Sequence, residues 1–81
     1  MSAKNLVFVG GTTRFIAPQK LKNLTIVNRA TTSATFKING VGDSITINSN
    51  VQVELEEVEA RAVERIEFVG TTGATIQVIW V

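Results

Sequence analysis

Apolar side chains recur at every second position along most of this chain. Ala34, Phe36 and Ile38, for example, alternate with Thr35 and Lys37. The same alternation occurs at residues 24–26, 45–47, 51–55, 66–68 and 74–80. A period of two places alternate side chains on opposite faces of a strand, so that one face is buried and the other exposed. These runs therefore predict β-strands.

Glycine and asparagine separate the runs. Asn39-Gly40 is a strong hairpin signal, because both residues tolerate a positive φ. Other turn signals are Gly10-Gly11, Asn48-Ser49-Asn50 and Gly70 with Gly73. Eight strands are predicted, near residues 5–9, 14–17, 22–28, 33–39, 43–48, 51–56, 63–69 and 74–80. The predicted fold class is all-β, a small antiparallel β-sandwich or barrel of seven to eight short strands.

Residues 54–66 also fit a helix. The side chains that would share one helical face are Leu55, Val58, Ala62 and Ile66. No capping residue opens such a helix, and the apolar alternation of the preceding strand continues to Leu55. We expect a strand to about Glu56, followed by a bend or one short helical turn near residues 57–62.

The inward positions of the strands define a predicted core. Its members are Ile26, Phe36, Ile38, Ile47, Val53, Ile66, Phe68, Ile76 and Val78. With 81 residues, residues 1–81 form a single β domain. The chain has no Cys and no His, so neither disulfides nor an ordinary zinc site supports this small core. The 44% of hydrophobic residues therefore favours a surface that is partly covered by a partner.

Charge is distributed unevenly, although the formal net charge is only +1. Residues 1–40 carry six Lys or Arg side chains and no acid, whereas residues 41–81 carry seven acids and two Arg. Two arrangements fit this asymmetry. Either opposite charges pair across strands within one domain, or a basic edge of one subunit meets an acidic edge of the next.

Side chains suited to catalysis are scarce. Without His or Cys, there is no His-based triad and no thiol nucleophile. The one Asp, Asp43, follows Gly42 in a turn, where Asp is ordinary. The only carboxylate cluster comprises Glu54, Glu56, Glu57 and Glu59. A divalent ion could use such oxygens, but a solvated row on a strand is the usual outcome. We predict no enzyme, with no catalytic residue, cofactor or metal.

Membrane and nucleic-acid partners are not favoured either. Only four apolar residues, Leu6–Val9, precede Gly10-Gly11, which is too short for a signal peptide core or a membrane span. Basic residues in the first half and several Phe side chains would suit base stacking. However, Phe36 lies on the apolar face of its strand, and the pI near 8.2 is low for a nucleic-acid domain.

Two segments, Leu6–Val9 and Val78–Val81, are apolar at consecutive positions and so on both faces of a strand. A strand of this kind must be covered on both sides. One sandwich covers one face, and a second copy of the chain would cover the other. We therefore predict a homo-oligomer, a dimer or a trimer. Its predicted self-association interface comprises Val7, Val9, Ile79 and Val81.

The chain also resembles short structural proteins of tailed bacteriophages. The runs that carry the resemblance are LTIVN at 24–28, ATFKING at 34–40, ITI at 45–47, VELE at 53–56, RIEF at 65–68 and GATIQV at 73–78. It spans about residues 24–80 and departs from the pattern at Asn48-Ser49-Asn50, where a Pro-Gly turn is usual. The resemblance implies a small β-sandwich on the virion, as capsid decoration or a tail accessory part, often trimeric and without catalytic residues.

We therefore expect a non-enzymatic virion structural or accessory protein that self-associates and stabilises a phage particle. Its partners would be copies of itself and other virion structural proteins. It would be made in the bacterial cytoplasm without a signal peptide and would reside in the virion. The alternative is a carbohydrate- or ligand-binding β-module within a larger assembly. An exposed cluster around Trp80 would favour sugar binding, and an inward Trp80 would favour assembly.

Overall fold

The computed structural model describes all 81 residues as eight strands and one short helix. The elements are β1 (Ser2–Val7), β2 (Thr12–Ile16), β3 (Leu24–Asn28), β4 (Ala34–Ile38), β5 (Val41–Ile47), β6 (Gln52–Leu55), α1 (Glu57–Ala60), β7 (Arg65–Val69) and β8 (Thr75–Trp80). All eight predicted strands are present. The largest difference is at β1, which begins at Ser2 and not at Asn5, because its backbone pairs with β8 as far as Ser2 opposite Trp80.

The strands form two antiparallel sheets of four strands each, which confirms the predicted sandwich. The first sheet has the order β1-β8-β3-β6, and the second has the order β2-β7-β4-β5. Strands β1 and β2 are therefore edges on one side of the molecule, where they contact each other. Strands β6 and β5 are the other two edges. The sandwich thus has two open sides. Strands β1 and β2 form one side, and strands β5 and β6 form the other.

One hydrophobic core of 15 buried residues lies between the sheets. The rings of Phe36 and Phe68 pack there with centroids 6.1 Å apart and planes inclined by 44°. Seven of the nine predicted core residues are buried, and two, Ile38 and Val53, are only partly buried. These two pack against the core but keep some exposure, because Val53 lies in the edge strand β6 and Ile38 pairs with Val41 of the edge strand β5. At that open side no further strand covers them.

The helix is confined to Glu57–Ala60, in agreement with the expected short turn. Ala60 is its one buried residue, and no side chain caps its first turn. Four residues are far below the length at which a helix is stable by itself. The connection is instead fixed by Asn39, whose Oδ1 accepts hydrogen bonds from the backbone N–H groups of Glu64 (2.7 Å) and Arg65 (3.0 Å).

Asn39 itself belongs to the predicted hairpin turn between β4 and β5. Asn39 and Gly40 have φ values of 55° and 70°, so both residues occupy the left-handed region that such a turn requires. The Nδ2 of Asn39 also donates to the carbonyl of Ala62 at 2.9 Å. One turn residue therefore serves both the hairpin and the entry to β7.

Threonine-rich turns meet at one end of the sandwich. The N–H of Gly11 donates to Oγ1 of Thr72 at 2.8 Å, and the hydroxyls of Thr32 and Thr71 are 2.9 Å apart. The N–H of Gly70 donates to the carbonyl of Gly11 at 2.9 Å. The turns around Gly11, Thr32 and Thr71 are therefore joined to one another by hydrogen bonds.

Gly70 leaves room beneath these turns for the buried ring of Phe8. A Cβ at Gly70 would lie 2.7 Å from Cζ of Phe8, which is closer than such atoms approach. We expect Gly70→Ala to lower the free energy of unfolding by about 1–3 kcal/mol, through overpacking. Urea denaturation would measure the loss.

The same substitution in a Phe8→Leu background serves as the control. The smaller Leu side chain removes the ring atoms that a Cβ would meet, so the added effect of Gly70→Ala should fall. An equal loss in both backgrounds would mean that the ring of Phe8 is not the cause.

Candidate functional site

The predicted interface residues lie on the outward side of the first sheet. Ile79 pairs with Ala3, and Val7 pairs with Thr75, in the register of β1 and β8. Because Leu6 and Ile76 point into the core, Val7 and Ile79 point outwards. Val7 is 51% exposed, whereas Ile79 is partly buried.

Val81 extends one end of this face, whereas Val9 lies in the turn that leads from β1 to β2. Val9 is 74% exposed in the turn after β1, where it forms an isolated bridge to Thr12. Val81 is 47% exposed and is held by a hydrogen bond from its N–H to the carbonyl of Asn23 at 3.2 Å. The four predicted residues therefore form two pairs. Val7 with Val9 and Ile79 with Val81 are separated by roughly 13 Å along the strands, the length of four residues.

The surface between these pairs forms a continuous face on the first sheet. Arg29 lies on it, and its Nη2 donates to Oε1 of Gln77 at 3.0 Å. One cross-strand row contains Asn5, Gln77, Val27 and Gln52, and the next contains Ala3, Ile79, Thr25 and Glu54. Among these eight residues only Glu54 is charged, and it lies in the edge strand. We call these two rows, with Val7, the outer face.

Val27 was absent from the predicted interface, although it lies in the centre of the outer face. It is buried even though it points away from the core. The signal was present in the sequence, because Ile26 and Val27 are consecutive apolar residues, as in the two terminal segments. Strand β3 thus presents apolar side chains to both of its faces, as β1 and β8 do.

A second feature is a groove on the side of the molecule where β1 and β2 are edges. It has a volume of about 390 Å³ and is lined by Lys4, Arg14, Phe15, Ile16, Pro18 and Trp80. We call it the basic groove, because it contains two cations and no carboxylate. The rings of Phe15 and Trp80 pack with centroids 4.9 Å apart and planes inclined by 51°.

Trp80 points inwards and is only partly exposed. It lies opposite Leu24, which is fully buried, in the register of β8 and β3. Its ring therefore packs against the edge of the core and is not displayed flat on the surface. Lys4 also occupies an inward position, because it pairs with the buried Val78 at the edge of the sheet.

Opposite charges do not pair between the two halves of the sequence. The one salt bridge joins Nε of Arg65 to Oε1 of Glu67 at 3.1 Å, and both residues belong to β7. Arg14 stands opposite Glu67 in the register of β2 and β7 but forms no ion pair with it. Lys37 also stands opposite Glu67, in the register of β4 and β7, so one carboxylate of the second half lies between two cations of the first half without a salt bridge to either. Lys4 of the edge strand β1 and Glu54 of the edge strand β6 lie at opposite edges of the first sheet.

The carboxylates are concentrated where β6 runs into α1. We call residues 54–59 the acidic segment, since Glu54, Glu56, Glu57 and Glu59 lie there and are exposed. Among them Val58 is 70% exposed. Strand β6 is separated from β1 by three strand spacings, roughly 14 Å. No three carboxylates are arranged to hold a metal ion.

Comparison with known proteins identifies no relative. No protein-family model matches the sequence, and no curated protein matches it significantly. Within the structure, no helix has the length and the apolar character that crossing a membrane requires. The outer face and the basic groove are thus the features from which a function can be argued.

Proposed function

We propose that this chain is a non-enzymatic structural module that associates with copies of itself and stabilises a larger particle. The observation that carries the proposal is the outer face of the first sheet. It keeps the aliphatic side chains of Val7, Ile79 and Val81 at its two ends, and its central rows contain one charged residue, Glu54, beside the guanidinium of Arg29. A face of this kind is suited to packing against a second sheet.

Burial of apolar surface supplies the free energy for this association. Each square ångström of apolar surface removed from water contributes roughly 25 cal/mol. The amide of Asn5 can hydrogen-bond across the contact, and Oε1 of Gln77 already accepts from Nη2 of Arg29 at 3.0 Å, so the burial of these two amides need not oppose it. A symmetric contact lets the same face serve every copy. Packing of this face on the same face of a second copy gives a dimer, whereas the trimer is the state that the phage resemblance implies.

The particle in this proposal is a phage virion, with the chain as capsid decoration or tail component. That part of the proposal follows from the resemblance over residues 24–80. Mass spectrometry of purified particles from the source culture tests it. Peptides of this chain should be present in a fixed ratio to the major capsid or tail protein. Their absence from such particles would contradict the proposal that the chain is a virion component.

The inward position of Trp80 supports assembly over carbohydrate binding. Sugar-binding aromatic side chains present a ring face to the ligand, whereas this ring packs on Phe15.

We expect Ile79→Glu to weaken self-association by at least about tenfold, because a buried, unpaired carboxylate opposes the contact. Light scattering over a concentration series measures the effect. Val69→Glu is the matched control, since Val69 is an exposed aliphatic residue in an inner strand of the second sheet. It should leave the molecular mass unchanged.

Two results would contradict the proposed interface. The first is a wild-type chain that stays monomeric at every concentration. The second is an Ile79→Glu chain that unfolds instead of dissociating, which would assign Ile79 to the fold. Val7→Glu is then the second test of the interface, because Val7 is more exposed than Ile79. This variant should stay folded and should still weaken self-association.

A further inference from the structure

We infer that the basic groove of one copy receives the acidic segment of a second copy, so that copies join head to tail. This inference rests on the proposed self-association and adds a second contact to it. The outer face would join copies face to face, whereas this contact would join them edge to edge.

The basic groove has the chemistry of a site for a carboxylate on an apolar support. Lys4 and Arg14 stand at its rim, and neither forms an ion pair within its own chain. The rings of Phe15 and Trp80, with Ile16 and Pro18, supply apolar walls. A partner that places carboxylates at the rim and an apolar side chain inside would satisfy both parts.

The acidic segment supplies that combination. Glu57 and Glu59 flank Val58, whose side chain is 70% exposed. No Lys or Arg of the chain forms an ion pair with these carboxylates. Val58 is an apolar side chain of a size that a groove of about 390 Å³ can hold. The two carboxylates beside it would then face Lys4 and Arg14.

Sheet topology keeps the two surfaces apart within one molecule. The basic groove includes the edge strand β1, and the acidic segment begins in the edge strand β6 at the opposite end of the same sheet. Separations of this size are largely screened by physiological salt, for which the Debye length is about 8 Å. The surfaces can therefore meet only between copies. A contact between two different surfaces repeats from copy to copy, as a ring or as a filament.

Lys4 also makes the contact selective. An inward-pointing charge on an edge strand normally prevents another strand from pairing there. A second β1 edge would bring a second Lys4 against the first, so like edges repel. An acidic edge neutralises the same charge. The residue that excludes symmetric edge pairing therefore favours the head-to-tail arrangement.

Charge reversal on each surface tests the inference. The groove variant carries Lys4→Glu and Arg14→Glu, and the segment variant carries Glu57→Lys and Glu59→Lys. Each variant alone has two surfaces of like charge, so its association should weaken at least about tenfold in low salt. An equimolar mixture should recover association, because each surface of one variant then meets an opposite charge on the other.

Sedimentation velocity at low and high salt is the measurement. Lys37→Glu, on the outward side of the second sheet, is the single-charge control for Lys4→Glu and should leave association unchanged. Circular dichroism verifies that the variants are folded. If the groove variant does not fold, Lys4→Gln with Arg14→Gln removes the same cations with a smaller perturbation.

The outcomes separate this inference from the proposed function. A wild-type chain that is monomeric in every condition removes the proposed self-association. A wild-type chain that associates equally at both salt concentrations, and equally when either surface is reversed, overturns the head-to-tail contact alone. A mixture of the two variants that stays dissociated also overturns it.

Discussion

Phe36→Ala is expected to lower the free energy of unfolding by about 3–5 kcal/mol, the range for removing a buried aromatic ring from a core. Phe36 is in the inner strand β4, where its side chain is almost fully buried and packs on Phe68. Its strand neighbours prevent the backbone from collapsing into the space, so a cavity remains. A domain of this size has roughly 4–12 kcal/mol of total stability, so the loss would be a large share of it.

Ile45→Ala is the matched control for this substitution. Ile45 is the register partner of Phe36 in the edge strand β5, and it is 47% exposed. Its truncation should lower the free energy of unfolding by less than about 1.5 kcal/mol, because much of its surface is already in water. Urea denaturation of both variants gives the comparison. A loss below about 1 kcal/mol for Phe36→Ala would show that this ring is not part of the core.

Asn28→Asp is expected to have an effect of similar size, about 3–5 kcal/mol, for an electrostatic reason. Asn28 is fully buried, and its Nδ2 donates to the carbonyls of Thr32 and Ile47, each at 3.0 Å. Its Oδ1 accepts from the N–H of Ala30 at 2.9 Å. An ionised aspartate has no donor, so it would bring a second acceptor against those two carbonyls in a buried site.

Asn48→Asp makes the same chemical change at an exposed position in the same region. It should alter stability by less than about 0.5 kcal/mol, as is usual for surface substitutions. Thermal melts of the two variants at neutral pH provide the measurement. If Asn28→Asp had the same melting temperature as the wild type, the three hydrogen bonds of Asn28 would not stabilise the folded state.

The period of two in the sequence predicted six of the eight strands, β3 to β8, together with the sandwich class and most of the core. It was less informative at the edges. Residues 2–4 show no apolar alternation, and they form a strand only because β8 offers them a backbone to pair with. Ile38 and Val53 have the right spacing for burial, but burial also needs a neighbour on each side, and the local pattern does not specify the strand order.

The candidate sites show the same limit more strongly. Charge asymmetry between the halves was visible in the sequence, but its placement on opposite edges depends on the strand order. Lys4, Arg14 and Trp80 are far apart in sequence and come together only because β1 lies beside β8 in one sheet and faces β2 across the core. The structural role of Asn28 could not be predicted either, because an asparagine at the end of an apolar strand is also typical of a turn.

The position of β8 between β1 and β3 has a consequence for synthesis. A ribosome makes the chain from β1 onwards, and β8 is the last of the eight strands to emerge. The second sheet has all of its strands once Val69 is made, whereas the first sheet lacks an interior strand until Trp80 is made. Until then β1 has no partner in that sheet, and the apolar positions of β1 and β3 remain accessible to other chains. The first sheet can therefore be completed only after the strands of the second have been made, and pairing across such a sequence separation is expected to take milliseconds to seconds.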